Sequence, residues 1–177
     1  MQRFDTLPSD LKGLKVAVTG ANSGLGFATS SKLASLGAKV YMLCRDQERG
    51  EAAKAKIEGD VTLIKVDMSN YKSIMEVDLP DVDVLVHNAG TMFAKREQVE
   101  GWPNGPIDAT FAVHVAGPYL LSKRFKTKEV IWVASGGMYS QKLNVQNLIE
   151  PPEPFDGMVA YAQCKRAQVI IARRLGH

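Results

Sequence analysis

Tyr161 and Lys165 stand four residues apart in the stretch YAQCK near the end of the sequence. Side chains at this spacing share one face of a helix, so the hydroxyl and the ammonium can act together. A tyrosine hydroxyl ordinarily ionises near ~10, and a nearby positive charge favours the phenolate. The spacing therefore predicts a proton-transfer pair, although tyrosine and lysine also occur four apart on ordinary surface helices.

Gly20, Gly24 and Gly26 follow an apolar run in the stretch KVAVTGANSGLG. Between a strand and a helix, glycines allow a tight turn in which backbone N–H groups approach a pyrophosphate, and the helix N-terminus favours its negative charge. The spacing G-x-x-x-G-x-G differs from the common dinucleotide fingerprint G-x-G-x-x-G. The stretch predicts a phosphate-binding turn, and a flexible turn without a ligand is the alternative.

Arg45 follows the second apolar run, KVYMLC, at the place where NAD-binding folds usually have an acidic residue for the ribose hydroxyls. A guanidinium there favours a 2′-phosphate through charge-assisted hydrogen bonds. We therefore predict a preference for NADP(H). NAD(H) is the alternative, because Asp46 follows directly and can turn inward. In the plainest interpretation, Arg45 and Asp46 only begin a solvated helix.

Short apolar runs alternate with helical patterns along the whole chain. The runs lack polar alternation, which is typical of parallel strands that are buried on both faces. We predict a doubly wound α/β fold with helices on both faces of a parallel sheet. The predicted strands are 15–20, 39–44, 61–67, 82–90 and 129–135, and the predicted helices are 24–37, 46–59, 69–77, 107–125 and the segment that contains Tyr161.

The 177 residues form one predicted domain, 1–177, with 45% hydrophobic and 23% charged residues, as in soluble globular proteins. The net charge of +3 is small and interspersed, which argues against nucleic acid as a partner. No apolar run reaches the roughly 18 residues of a membrane span, and the start MQRFDTLPSDLKG lacks a signal peptide's apolar run. Cys44 and Cys164 are isolated, so we expect reduced thiols, no metal site and a cytoplasmic location.

Five motifs occur in the order found in short-chain dehydrogenases/reductases: TGANSGLG, VD at 66–67, HNAG at 87–90, VAS at 133–135 and YAQCK at 161–165. The sequence resembles this family nearly throughout, and the stretch SGGMYSQKLN…FDGMVAYAQCKRAQV resembles one of its subgroups. The resemblance implies a Rossmann-like, three-layer α/β/α fold. It also implies an oxidoreductase that transfers hydride between NADP(H) and a carbonyl or alcohol substrate.

The resemblance assigns cofactor contacts to three groups of residues. The turn after the first strand would line the pyrophosphate with Gly20, Ser23, Gly24, Leu25 and Gly26. Asp67 would accept a hydrogen bond from the adenine amino group, with Met68 beside the ring; a turn carboxylate or helix cap is the alternative for Asp67. The end of the fourth strand would lie beneath the adenosine ribose with Asn88, Ala89 and Gly90.

By the same resemblance, three side chains carry the reaction. Tyr161 would protonate the substrate oxygen during reduction, and Ser135 would hydrogen-bond that oxygen. Tyr161 and Lys165 would also be cofactor-binding residues, with Lys165 holding the nicotinamide ribose. His114 stands where the family has an asparagine that helps hold a water leading to the lysine. Histidine can form similar hydrogen bonds, and a packed structural histidine is the alternative.

Other features depart from the family pattern. Few residues separate Phe125 from the fifth strand, so the helix before it is expected to be short. The sequence resembles a C-terminally truncated member that lacks the last two strands and the substrate-covering helix. The fifth strand is then a sheet edge open to pairing with another chain. The family commonly pairs helices across a dimer, including the helix that carries Lys165, so the resemblance allows a homo-oligomer and leaves the oligomeric state open.

These departures leave an alternative function, that of a catalytically silent nucleotide-binding relative that acts through protein interactions. In the loop 100–108, Trp102 is either an apolar wall of the substrate site or part of a packed turn.

Overall fold

A five-stranded parallel sheet runs through the computed structural model, which describes residues 10–175. The strands are β1 (Lys15–Thr19), β2 (Lys39–Cys44), β3 (Val61–Lys65), β4 (Val84–His87) and β7 (Glu129–Trp132), and their spatial order is β3–β2–β1–β4–β7. All five predicted strands are confirmed, each ending at or before the predicted residue. Residues 1–9 and 176–177 lie outside the described residues. They belong to the predicted domain 1–177, and residues 1–9 belong to the start of the chain that is expected to lack a signal peptide.

The strands are apolar because helices cover both faces of the sheet. Val16 and Val18 of β1 enter the core under helices α1 (Gly24–Ser35) and α2 (Gln47–Lys54). Ala17, between these valines, enters the opposite core under helices α3 (Tyr71–Glu76) and α5 (Gly117–Arg124). Alternate residues of one strand thus serve two cores, and this confirms the doubly wound, three-layer arrangement.

The ends of the first two helices follow the signals in the sequence. Helix α1 stops at Ser35, and Gly37 adopts a left-handed φ of +89°, which suits the predicted C-terminal glycine. The carboxylate of Asp46 caps α2 by accepting a hydrogen bond from the Arg49 N–H at 2.9 Å. Helix α2 ends at Lys54, earlier than the predicted end at residue 59.

The segment 107–125 is not the single helix that the periodicity predicts. Ile107–Asp108 forms strand β6, which pairs antiparallel with strand β5 (Gln98–Val99) in a hairpin that the sequence analysis missed. The carboxylate of Asp108 then caps the short helix α4 (Ala109–Phe111). A π-helical turn, Ala112–Ala116, separates α4 from α5. The Asp108 cap makes the helix begin later than predicted, and the wider π-helical turn rotates the helix faces that follow it.

The last part of the described chain forms a 3₁₀ helix (Gly136–Ser140), helix α6 (Val145–Ile149) and helix α7 (Gly157–Leu175). Helix α7 packs on α6 and the π-helical turn through Cys164, Leu148 and Val115. Strand β7 is one of the two outer strands of the sheet, β3 being the other, and Ile131 on β7 is 50% exposed. The expected open edge at the fifth predicted strand is therefore present among residues 10–175.

Candidate active site

A cavity of about 490 Å³ opens where β1, β2, β3 and β4 end. Ligands of open α/β sheets bind at the carboxyl ends of the strands, where the order of connection reverses between neighbours such as β1 and β4. Ten of the thirteen predicted cofactor residues line this one cavity: Gly20, Ser23, Gly24, Leu25, Arg45, Asp67, Met68, Asn88, Ala89 and Gly90. Gly26, Tyr161 and Lys165 do not line it. Asn22, Thr91, Phe93 and Val113 also line it, and the sequence analysis did not name them as site residues.

The turn between β1 and α1 requires glycine at two of its three positions. Gly20 has a φ of +65°, and a Cβ there would lie 2.9 Å from the Cα of Ala89. A Cβ on Gly26 would collide with the Gly20 carbonyl oxygen and the Asn88 amide. Gly24 also has a positive φ, +54°, but faces open space. Gly26 thus lies behind the cavity, and its hydrogen atom lets the helix approach the strand ends.

Asn88 fixes the end of β4 against the end of β1. Its side-chain amide donates to the Thr19 carbonyl oxygen at 3.0 Å, while its backbone N–H donates to the Thr19 hydroxyl at 3.0 Å. The Ala89 N–H reaches the same hydroxyl at 2.9 Å. Thr19 is therefore a positioning residue of the cavity that the sequence analysis missed, and its place directly before the first glycine was the available signal.

Arg45 lies exposed at the cavity wall, immediately after β2. Within residues 10–175, Arg45 forms no salt bridge, that is, no carboxylate oxygen lies within 4.0 Å of its guanidinium nitrogens. Asp46 does not line the cavity, because its carboxylate is engaged in the cap of α2. The positive charge of Arg45 is thus available at the cavity, and the neighbouring carboxylate is directed elsewhere.

Asp67 is a turn carboxylate and also a wall of the cavity. Its Oδ1 accepts hydrogen bonds from the Ser69 N–H at 2.8 Å and from the Ser69 hydroxyl at 2.7 Å. Its own N–H donates to the Ser73 hydroxyl at 3.0 Å. Met68 is buried beside it, with 5% exposure. These hydrogen bonds match the alternative interpretation of Asp67 as a turn carboxylate, and they orient its side chain within the cavity wall.

Tyr161 and Lys165 share one face of α7, as their spacing predicts. The Lys165 Nζ lies 5.5 Å from the centroid of the Tyr161 ring and donates a hydrogen bond to the Val133 carbonyl oxygen at 2.8 Å. Lys165 is 3% exposed, and burial lowers its pKa to about 8. Removal from water disfavours the ammonium, so this amine can change its protonation state close to neutral pH.

Ser135 lies two residues beyond Val133, after β7 has ended at Trp132. Its hydroxyl oxygen accepts a hydrogen bond from the Gly137 N–H at 3.2 Å and thereby caps the 3₁₀ helix. From α7, Arg166 donates to the carbonyl oxygens of Met138 and Gln141, both at 3.0 Å. Helix α7 thus holds the chain on both sides of Ser135, although no hydrogen bond within residues 10–175 joins Ser135 to Tyr161.

His114 is a packed histidine that also touches the predicted reacting centre. It is fully buried, and its Nε2 lies 2.8 Å from the Thr91 carbonyl oxygen. Its ring meets the Tyr161 ring edge-on, with 5.2 Å between centroids. Gly90 makes room for it, since a Cβ there would lie 2.6 Å from the imidazole Cε1. Burial lowers the pKa of His114 to about 4, so the ring is neutral at pH 7.

Trp102 does not line the cavity, and it packs in a turn, as the second interpretation predicts. Within the described part of the chain, no helix is long and apolar enough to cross a bilayer. Across those same residues, no group of three or more histidine, cysteine or acidic side chains is arranged to hold a metal ion. Cys44 and Cys164 are unpaired and buried.

Comparisons with known proteins define the class. The sequence model of the short chain dehydrogenases matches residues 15–176. The chain is 36% identical to dehydrogenase/reductase SDR family member 12 of Homo sapiens over 96% of its own length, and 31% identical to Homo sapiens retinol dehydrogenase 12 over 93%. It covers 59% and 56% of those two proteins, so it spans less than two thirds of the curated relatives it matches.

Two solved structures share the fold. An uncharacterized protein from Mycobacterium Paratuberculosis superposes with a TM-score of 0.82 at 27% identity, covering 94% of this chain and 62% of that one. A metagenomic short-chain oxidoreductase in complex with NADP gives 0.67 at 27% identity, with coverages of 93% and 76%. The chain belongs to the short-chain dehydrogenase/reductase family. The expected subgroup is confirmed by its similarity to family member 12.

Proposed function

We propose that this chain carries the cofactor site and the reacting centre of an oxidoreductase that interconverts a carbonyl compound and an alcohol with NADP(H). The observation that supports the proposal most is the shared cavity, which gathers ten predicted cofactor residues from the ends of four strands. We further propose that residues 1–177 act as one domain. A cytoplasmic location and a homo-oligomer stay predictions.

The residues at the cavity fit a dinucleotide with a 2′-phosphate. Gly20, Gly24 and the first amides of α1 form a cradle for a pyrophosphate, and the Ser23 side chain makes no capping bond that would occupy those amides. Arg45 would hold the 2′-phosphate by charge-assisted hydrogen bonds. Asp67 and Met68 would border the adenine. The metagenomic relative described in complex with NADP supports the same assignment.

Bound NADP(H) supplies or accepts the hydride in this proposal. Tyr161 gives its hydroxyl proton to the substrate oxygen during reduction and takes it back during oxidation. Lys165 lies beside the Tyr161 ring, and its positive charge favours the phenolate that is left behind. The lysine would also hold the nicotinamide ribose, while its bond to Val133 sets its position.

Ser135 fixes the substrate oxygen for this transfer. Its oxygen accepts from the Gly137 N–H, so its own proton is available to donate. His114 is neutral and held by Thr91, and it limits the tilt of the Tyr161 ring. Reaction therefore depends on side chains positioned from β7, the π-helical turn and α7.

A thermal-shift titration with NADPH and NADH tests the cofactor site. A ligand that binds only the folded state raises the apparent stability by RT ln(1 + [L]/Kd). We expect NADPH to stabilise the wild type more than NADH does, and Arg45→Ala to weaken NADPH about tenfold or more while NADH changes little. Arg49→Ala is the matched control, because Arg49 is also an exposed arginine but does not line the cavity.

Each outcome has a clear meaning. Equal stabilisation by the two cofactors, unchanged in Arg45→Ala, would reject the preference for NADP(H). If neither cofactor shifts a cooperative transition, the oxidoreductase assignment for this chain falls. Cofactor binding without turnover of any carbonyl or alcohol would favour the catalytically silent relative.

A further inference from the structure

Trp102 sits in the loop 100–106, which joins the two strands of the small hairpin β5–β6. Its indole N–H donates a hydrogen bond to the Ser69 carbonyl oxygen at 3.0 Å, across a sequence separation of 33 residues. The indole also meets the Tyr71 ring at a centroid distance of 5.6 Å. The loop is therefore fastened to the turn between β3 and α3.

That turn is the segment that contributes Asp67 and Met68 to the cavity. The Ser69 N–H and hydroxyl both bind Asp67 Oδ1, so the position of Ser69 determines the position of the Asp67 carboxylate. On the other side, the Met68 carbonyl oxygen lies against Gly117, where a Cβ would collide with it. A chain of contacts thus runs from Trp102 through Ser69 to the cavity wall.

We propose that Trp102 is a positioning residue for the adenosine half of the cofactor, because its N–H fixes the turn that presents Asp67 and Met68. This inference rests on the proposed function, which places the adenosine at that wall. Trp102 is only half-buried, so water can replace the lost N–H at the Ser69 carbonyl. Loss of the bond should therefore loosen the wall more than it destabilises the fold.

The chain offers a matched pair of tryptophans for the test, since it contains only Trp102 and Trp132. The Trp132 Nε1 is buried and has no hydrogen-bond partner among residues 10–175. Trp102→Phe removes an N–H that binds, whereas Trp132→Phe removes one that does not. Both variants keep an aromatic ring.

Calorimetric titration with adenosine 2′,5′-bisphosphate, which carries the adenosine end without the nicotinamide, measures the effect. We expect Trp102→Phe to raise its Kd by about three- to tenfold, the range of one ordinary hydrogen bond, and Trp132→Phe to leave the Kd within about twofold. In Trp132→Phe, where Trp102 is the remaining tryptophan, we expect the ligand to change the fluorescence emission. In Trp102→Phe we expect no such change.

Gly105→Ala provides a second variant if Trp102→Phe folds poorly. Gly105 donates its N–H to the Trp102 carbonyl oxygen at 3.0 Å and has a φ of +97° with free space around it. Alanine there strains the loop without a collision, and a smaller rise of the same Kd is expected.

A lower melting temperature with an unchanged Kd would show that Trp102 is only structural and would overturn the inference. If the wild type binds neither adenosine 2′,5′-bisphosphate nor NADPH, the proposed function and this inference fall together. If the wild type binds both and Trp102→Phe binds equally well, the inference alone fails.

Discussion

The glycine turn and the proposed reacting face of α7, which carries Tyr161 and Lys165, are held in different ways. At the glycine turn, Gly26 lies directly against the backbone of Gly20 and the side-chain amide of Asn88. Thr19 accepts hydrogen bonds from the two backbone N–H groups that follow β4. At α7, Lys165, Arg166 and Gln168 reach backbone carbonyls through long side chains. Backbone contact leaves no freedom for a larger residue, whereas long side chains tolerate small shifts of the helix. We therefore expect substitutions at the glycine turn to act through steric collisions, and substitutions on this face of α7 to act by removing a reacting group.

Gly26→Ala breaks the glycine turn and should have the largest effect. The added Cβ would collide with the Gly20 carbonyl oxygen and the Asn88 amide, so we expect a loss of about 3 kcal/mol or more in the free energy of unfolding, together with NADPH binding. Urea denaturation measures it. Gly24→Ala, at a position with open space, should cost only the strain of its left-handed φ, about 1 kcal/mol. Equal losses in the two variants would contradict the steric argument.

Tyr161→Phe breaks the reacting face without disturbing the turn. We expect turnover of carbonyl substrates to fall by about 10²- to 10⁴-fold, because the proton donor is lost, while NADPH binding stays close to that of the wild type. Steady-state kinetics and a titration separate the two effects. Tyr139→Phe is the control, since that tyrosine is 79% exposed. Full activity of Tyr161→Phe would remove the tyrosine from the mechanism.

The two buried histidines should make the fold sensitive to acid. Burial lowers the pKa of His114 to about 4 and that of His87 to about 3, from an ordinary value of 6.5. Below pH 6.5 the unfolded chain binds protons that the folded chain does not, so the free energy of unfolding decreases as the pH falls from 6.5 towards 4. Each histidine contributes at most about 1.4 kcal/mol per pH unit.

His114→Asn tests the contribution of the histidine that contacts Tyr161, because it removes one of the two buried histidines. We expect a shallower pH dependence of stability between pH 6.5 and 4, measured by urea denaturation at several pH values. His87→Asn should flatten the same window and extend the effect towards pH 3. An unchanged slope in His114→Asn would mean that this imidazole does not resist protonation in the fold.

Ile131→Lys probes the open edge of β7 and should have the smallest effect on stability, within about 0.5 kcal/mol, because the side chain is half exposed. A charge on an edge strand discourages pairing with another chain. If copies associate through this edge, sedimentation should show less association in the variant than in Glu129→Lys, a control on the same strand. Equal association in both variants would place any oligomer contact elsewhere.

Most of the sheet could be predicted from the sequence, because buried parallel strands require uninterrupted apolar runs. The helix predicted over 107–125 was wrong at its start, since Asp108 acts as a cap and Ile107 pairs with Val99 across the hairpin. Neither the hairpin nor the π-helical turn leaves a periodic signal. The hydrogen bond between Trp102 and Ser69 could not be predicted either, because the two residues lie on segments far apart in the chain.

The sequence by itself determined the family, the order of the motifs along the chain and ten of the residues that line the cavity, because each depends on local residue type and spacing. The tertiary structure decided which groups meet. It directed Asp46 away from the cavity and left Arg45 there, placed His114 against Tyr161, and connected Trp102 to the Asp67 turn. Such contacts arise only when distant segments pack together, and burial then lowers the pKa of groups such as His114 and Lys165.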